Sequence, residues 1–168
     1  MAIVLLVARI LLGLGLAAHG AQKLFGWFGG YGLKGTGGFF EGLGFRPGVF
    51  FAIAAGLGEF VGGTLVALGL GGPVGPALAI VVMLVAILTV HIGHGFFVTK
   101  NGVELPLTYI CGMLLLLFAG FGPYAIDAAI GLQAWPESTS WIALAAAVLA
   151  ALANTAVRRP APKATTAS

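Results

Sequence analysis

Residues 49–70 read VFFAIAAGLGEFVGGTLVALGL, an apolar run interrupted by one ionisable side chain, Glu59. About 20 mainly apolar residues wound into a helix cross a hydrocarbon core about 30 Å thick. The run has that length, and at about 1.5 Å per residue its carboxylate stands about 15 Å deep, near the midplane. An ionisable group there costs on the order of 2.5–3.5 kcal/mol on insertion scales, and no snorkelling reaches water from that depth. The segment reads as a membrane span that retains a costly group.

Four more stretches qualify as spans: Ala2 to Phe25, Pro76 to Phe97, Leu105 to Phe121 and Trp141 to Val157. The last two are near the short limit, and the fifth is Ala-rich with no ionisable residue between Trp141 and Ala156. Pro76, Pro106 and Pro136 fall at or just before helix starts, where a missing N–H is harmless. Composition agrees. The 168 residues are 60% hydrophobic and 8% charged, against about 25% charged in an average soluble domain, and the mean hydropathy is +1.08. A disordered chain, a secreted disulfide scaffold and an ordinary cytosolic enzyme are excluded. Cys111 is the sole cysteine, so there is no internal disulfide and no CxxC centre. The pI near 9.4 does not point to nucleic acid, because the basic residues are scattered among apolar runs. The expected fold is an all-α membrane protein: a transmembrane helical bundle of five spans, the first four packed together and the fifth peripheral.

No basic residue precedes Arg9, which lies inside the first apolar run, so that run reads as an uncleaved helix rather than a signal peptide. With five spans, Lys23, Lys34, Arg46, Lys100, Arg158, Arg159 and Lys163 all fall on one side and no Lys or Arg falls on the other. The positive-inside rule then puts the C-terminus in the cytoplasm and the N-terminus outside.

The polar residues kept within the spans are the site candidates. His19, Gln22 and Lys23 share one face of the first helix. His91 and His94 are neighbours near the end of the third span, and Glu104, Thr108 and Cys111 form a stripe on the fourth. Depth makes His19, Glu59, His91 and Glu104 converge on a polar pocket in the cytoplasmic half of the bundle. Gly58, Gly62 and Gly63 put small residues beside Glu59, so it should face the bundle, where a carboxylate with no partner would stay protonated. Lys23 taken alone reads as a snorkelling residue, and Arg9 as an anchor at the far interface or a partner for Asp127. Two histidines at i, i+3 are a weak metal signal, and no metal site is expected. The first connection, Gly26 to Gly48, is rich in glycine and carries Phe39, Phe40 and Phe45. It fails the phosphate-loop pattern and reads as a re-entrant lid over the pocket.

These residues also form a family pattern. The order His19-Gly20-x-Gln22-Lys23-Leu24-Phe25-Gly26, Phe39-Phe40-x-x-Leu43-Gly44, Glu59-x-x-Gly62-Gly63, His91, Gly95-Phe96-Phe97, Glu104-x-Pro106-Leu107 and Gly122-Pro123-Tyr124-x-x-Asp127 resembles the DoxX family of bacterial membrane proteins. The resemblance implies a four-helix core in the bacterial inner membrane over residues 1–127. It leaves an outer loop and fifth helix over 128–157 and a short basic cytoplasmic tail over 158–168. It also implies an oxidoreductase role. One branch of the family resembles the membrane subunit of thiosulfate:quinone oxidoreductase, and another associates with thiol- and superoxide-handling enzymes. The basic residue often found near Tyr124 in the family is missing here.

The expected function is a membrane subunit of a quinone-linked redox system. Glu59, His19 and His91 would be its catalytic groups, and His19, Gln22, Lys23, His94 and Glu104 would bind the cofactor. No haem, iron–sulfur or flavin motif occurs, so the cofactor would be a bound quinone and the electrons would come from a partner protein. Lipid is the other expected partner. The alternatives are a non-catalytic membrane scaffold and, ranking lower without an inverted repeat, a proton-coupled small-solute transporter.

Overall fold

A computed structural model gives the fold and describes residues 1–132 and 135–159. The expected solvated tail beyond Arg159, Lys163 included, lies outside the described residues. The helices are α1 (Ala2–Phe25), α2 (Gly32–Gly42), α3 (Gly48–Leu68), α4 (Val74–Ala86), α5 (Glu104–Ala119), α6 (Ile126–Ala129) and α7 (Glu137–Ala156). A π-helical turn, Ile87–His91, and a 3-10 turn, Ile92–His94, continue α4. Four segments are long and apolar enough to cross a membrane: Ala2–Phe25, Gly48–Leu68, Val74–His94 and Glu137–Ala156. The protein is an all-α membrane protein built as a helical bundle.

The Ala-rich fifth stretch is thus a full-length span. The Leu-rich fourth one, α5, is the short helix, with 16 residues. Gly120 at φ 75° ends it, and Pro123 follows within one turn of chain.

Helices α1 and α3 run antiparallel at near-backbone contact. A Cβ on Gly63 would lie 2.5 Å from the Gly13 carbonyl oxygen, and one on Gly20 would lie 2.7 Å from that of Gly56. Lipid tails are as apolar as leucine, so burial alone does not drive helices together in a membrane; close packing of small residues does. Another face of α3 meets α4, where a Cβ on Gly62 would lie 3.1 Å from the Gly75 carbonyl oxygen. Helix α5 packs on α4 and reaches α1, and α7 lies along α4 and touches α5. Ala147 and Ala151 are its buried contact residues, and the Ser140 hydroxyl donates to the Leu117 carbonyl at 2.7 Å. Leu16, Val66, Ile80, Met113 and Leu116 fill the interior.

At the end of the bundle where α3 finishes, Gly69 adopts φ 66° and closes the helix. Its N–H reaches the Val66 carbonyl at 3.1 Å, and that of Leu70 reaches Leu65 at 2.9 Å, satisfying carbonyls the helix leaves open. Arg9 belongs to the same closure. It is only 2% exposed and donates to the carbonyls of Ala67 at 2.6 Å and Tyr124 at 2.5 Å. Asp127 accepts the N–H groups of Gly71 at 2.9 Å and Gly72 at 2.7 Å. Of the two sequence expectations for Arg9, the pairing with Asp127 does not hold. The partial negative charge of a helix C-terminus gives the guanidinium a closer partner, and the N–H groups of the next turn occupy the carboxylate.

Candidate functional site

Where α1 ends and α3 begins, the helices separate around a cavity of about 470 Å³, within the roughly 300–1,000 Å³ of small-molecule sites. His19 and Lys23 reach it from α1, Thr36, Phe39 and Phe40 from α2, and Glu59 from α3. His91 enters from the π turn, Tyr109 from α5 and Asn154 from α7. The glycine-rich connection expected to form a lid is the helix α2. Gly37 brings it close onto α3, where a Cβ would lie 3.1 Å from the Val49 nitrogen.

Glu59 is 2% exposed, and it has a partner. Lys23 Nζ donates to Glu59 Oε2 at 2.5 Å, with the two side chains 28% and 3% exposed. Lys23 therefore turns inward instead of snorkelling, and the buried carboxylate is not left alone. Gly56 stands one turn before Glu59. A Cβ there would lie 2.7 Å from Leu24 Cγ and 3.4 Å from the Lys23 Cβ, so the glycine lets the end of α1 sit close against α3 beside the pair.

Both cavity histidines are held through Nδ1. Gln22 Nε2 donates to the Phe28 carbonyl at 3.2 Å, which turns its Oε1 to accept the His19 Nδ1–H at 3.1 Å. The His19 ring also meets Tyr109 edge-on, with centroids 6.3 Å apart. His91 Nδ1–H donates to the Asn101 carbonyl at 2.7 Å. In each ring Nε2 is the nitrogen left for a ligand. The π turn explains how His91 arrives. An α-helix turning about 100° per residue would carry it about 140° away from Ala86, which lines the cavity. The wider i→i+5 turn brings it back toward that side.

Three expected binding residues stand elsewhere. Gln22 supports His19 from behind and does not line the cavity. His94 Nδ1–H donates to the Val90 carbonyl at 2.8 Å in an exposed turn. Glu104 accepts the Val98 N–H at 2.8 Å and closes the loop before α5. The Glu104, Thr108 and Cys111 stripe faces away. The Thr108 hydroxyl donates to the Glu104 carbonyl at 2.8 Å, and Cys111 is exposed. The opposite face of α5, with Leu105, Pro106 and Tyr109, lines the cavity. Tyr109 and Asn154 were missed because each sits in a strongly apolar run. Their signal is that they are the tyrosine of the Leu-rich helix and the amide of the Ala-rich one. Among the described residues, no three His, Cys, Asp or Glu side chains cluster as a metal ion requires.

A second hollow, of about 640 Å³, lies at the other end beside Asp127, Glu137 and Ser140. Its polar groups are committed. Asp127 holds the α3–α4 turn, Ser140 holds Leu117, and Glu137 accepts the Trp141 Nε1–H at 3.2 Å.

Residues 4–92, more than half of the chain, match the DoxX family model. The chain belongs to the DoxX family. No curated protein and no solved structure matches it. The DoxX match covers α1 to α4 and ends one residue past His91, so His19, Lys23, Glu59 and His91 fall inside it. Glu104, Tyr109 and Asn154 fall beyond.

Proposed function

We propose that this DoxX protein is the quinone-binding membrane subunit of a redox system in the bacterial inner membrane. The observation that carries the reading is one cavity within a membrane bundle that gathers a buried ion pair and two imidazoles with Nε2 unused. A bound quinone supplies two carbonyl oxygens that accept hydrogen bonds and take up protons on reduction. Lys23 Nζ is the group suited to donate to such an oxygen. His19 Nε2 and His91 Nε2, bare when Nδ1 carries the hydrogen, are suited to accept from the hydroxyls of the reduced ring, and Phe39, Phe40 and Val82 give the ring an apolar wall. Glu59 holds Lys23 in place and shares its proton, and Lys23, the more exposed partner, connects the pair to the surroundings. A partner protein supplies the electrons. The positive-inside rule puts the N-terminus outside and the cavity in the cytoplasmic half.

The test is quinone retained in gentle detergent extracts, read beside quinone-dependent electron flow in membranes. Glu59→Gln and His19→Ala should insert normally and lose both. Full occupancy and wild-type electron flow in both variants would overturn the proposal. One observation favours a scaffold instead: Lys23 and Glu59 satisfy each other, as a purely structural core requires. A scaffold tolerates the exchanged pair, Lys23→Glu with Glu59→Lys, whereas a redox site does not.

A further inference from the structure

We infer that Tyr109 and Asn154 select the ring substituents of the molecule in the cavity, an inference that rests on the quinone reading above. Both side chains line the cavity, and both come from helices outside the matched residues 4–92. Neither the Tyr109 hydroxyl nor the Asn154 amide has a hydrogen-bond partner among the described residues. Neither is sealed off either, since the buried side-chain atom left without a partner there is Arg9 Nε. They are polar groups of the cavity lining without a hydrogen-bond partner among the described residues.

The position of the Tyr109 hydroxyl is built. A Cβ on Gly15 would lie 2.7 Å from it, so the phenol tip rests in the gap this glycine leaves in α1. The ring is fixed edge-on to His19, which sets the hydroxyl beside the imidazole and not in its place.

Lys23 keeps two N–H groups for ring oxygens after serving Glu59, and the bare Nε2 atoms of His19 and His91 accept from the hydroxyls of a reduced ring. A neutral phenol and a neutral amide add little to proton uptake. They suit further uncharged acceptors on the ring, such as methoxy oxygens. A ligand lacking these would leave both groups unpaired in an apolar site, and unpaired site groups are how such pockets reject an analogue. The family-matched helices then carry the proton chemistry, and α5 and α7 carry the choice of ring.

The experiment offers purified full-length protein an equimolar pair of quinones with the same prenyl tail, a dimethoxy-substituted benzoquinone and a naphthoquinone without methoxy groups. Wild type should retain the methoxy ring in excess. Tyr109→Phe and Asn154→Leu, close to isosteric, should keep total occupancy and each move the ratio toward equality by about three- to ten-fold, the worth of one hydrogen bond. Equal retention by wild type, or the wild-type ratio in both variants, overturns this inference and leaves the quinone reading standing. Wild type that retains neither quinone overturns both.

Discussion

Lys23 Nζ and Glu59 Oε2 stand 2.5 Å apart across the α1–α3 contact, and the lysine is the partner that reaches the surface. Removing one member of such a pair leaves the other charge in a medium that solvates it poorly. Lys23→Met should therefore destabilise the bundle toward the lower end of about 3–5 kcal/mol, because the lysine is partly exposed. Adding Glu59→Leu should restore much of that loss. Unfolding in mixed micelles measures both, and a double variant less stable than Lys23→Met would refute the pairing argument.

Two adjacent glycines of α2 should respond in opposite ways to alanine. A Cβ on Gly37 would press on Val49, 2.9 Å from its Cγ2, whereas one on Gly38 meets nothing within 4 Å. Gly38→Ala should gain up to about 1 kcal/mol from helix propensity. Gly37→Ala should lose about 1–3 kcal/mol to overpacking. Melting temperatures of the two variants in one detergent decide the matter.

Arg9→Lys should be costly although it keeps the charge. The guanidinium spans two carbonyls on separate segments, Ala67 and Tyr124, and an ammonium is a point charge on a flexible stem. A loss of about 1–3 kcal/mol is expected from the carbonyl left without a donor. Denaturant titration would show it, and an unchanged midpoint would count against the closure described for this end.

Glu104→Gln should leave quinone retention at the wild-type level, since Glu104 serves the Val98 N–H and not the cavity. Its expected cost is about 0.5–1.5 kcal/mol for a weakened loop hydrogen bond. Loss of the bound quinone in this variant would return Glu104 to the binding set.

With the 16-residue α5 crossing as a fifth span, a reporter fused after Ser168 should read as cytoplasmic and one at the N-terminus as extracytoplasmic. The opposite result would invert the orientation drawn from the basic residues.

The helical spans were legible because hydropathy and span length are local properties. The first span begins and ends where the apolar run does, at Ala2 and Phe25. Convergence of His19, Glu59 and His91 was legible too, since depth along a helix follows from residue count. Facing direction was not. Depth put Glu104 of the α5 stripe in the expected pocket, but Glu104 and Thr108 both bond to backbone nearby, and the cavity takes the other face. The partner of Lys23 was hidden because it lies on another helix, 36 residues along the chain, and residue count does not say which side chains meet. Arg9 was misread because its partners are carbonyls, and every residue carries one.

The π turn before His91 has a genetic consequence. A wide turn holds one residue more than the helix around it needs, so a single in-frame codon loss within Ile87–His91 can close the segment as ordinary α-helix. The span would shorten by only about 1.5 Å and could still cross the membrane. Its imidazole would then stand four α-helical residues past Ala86, about 40° round the axis and still on the cavity side. The turn is therefore a length buffer in this lineage: a descendant that has lost one residue there would insert, pack and present both cavity histidines as before.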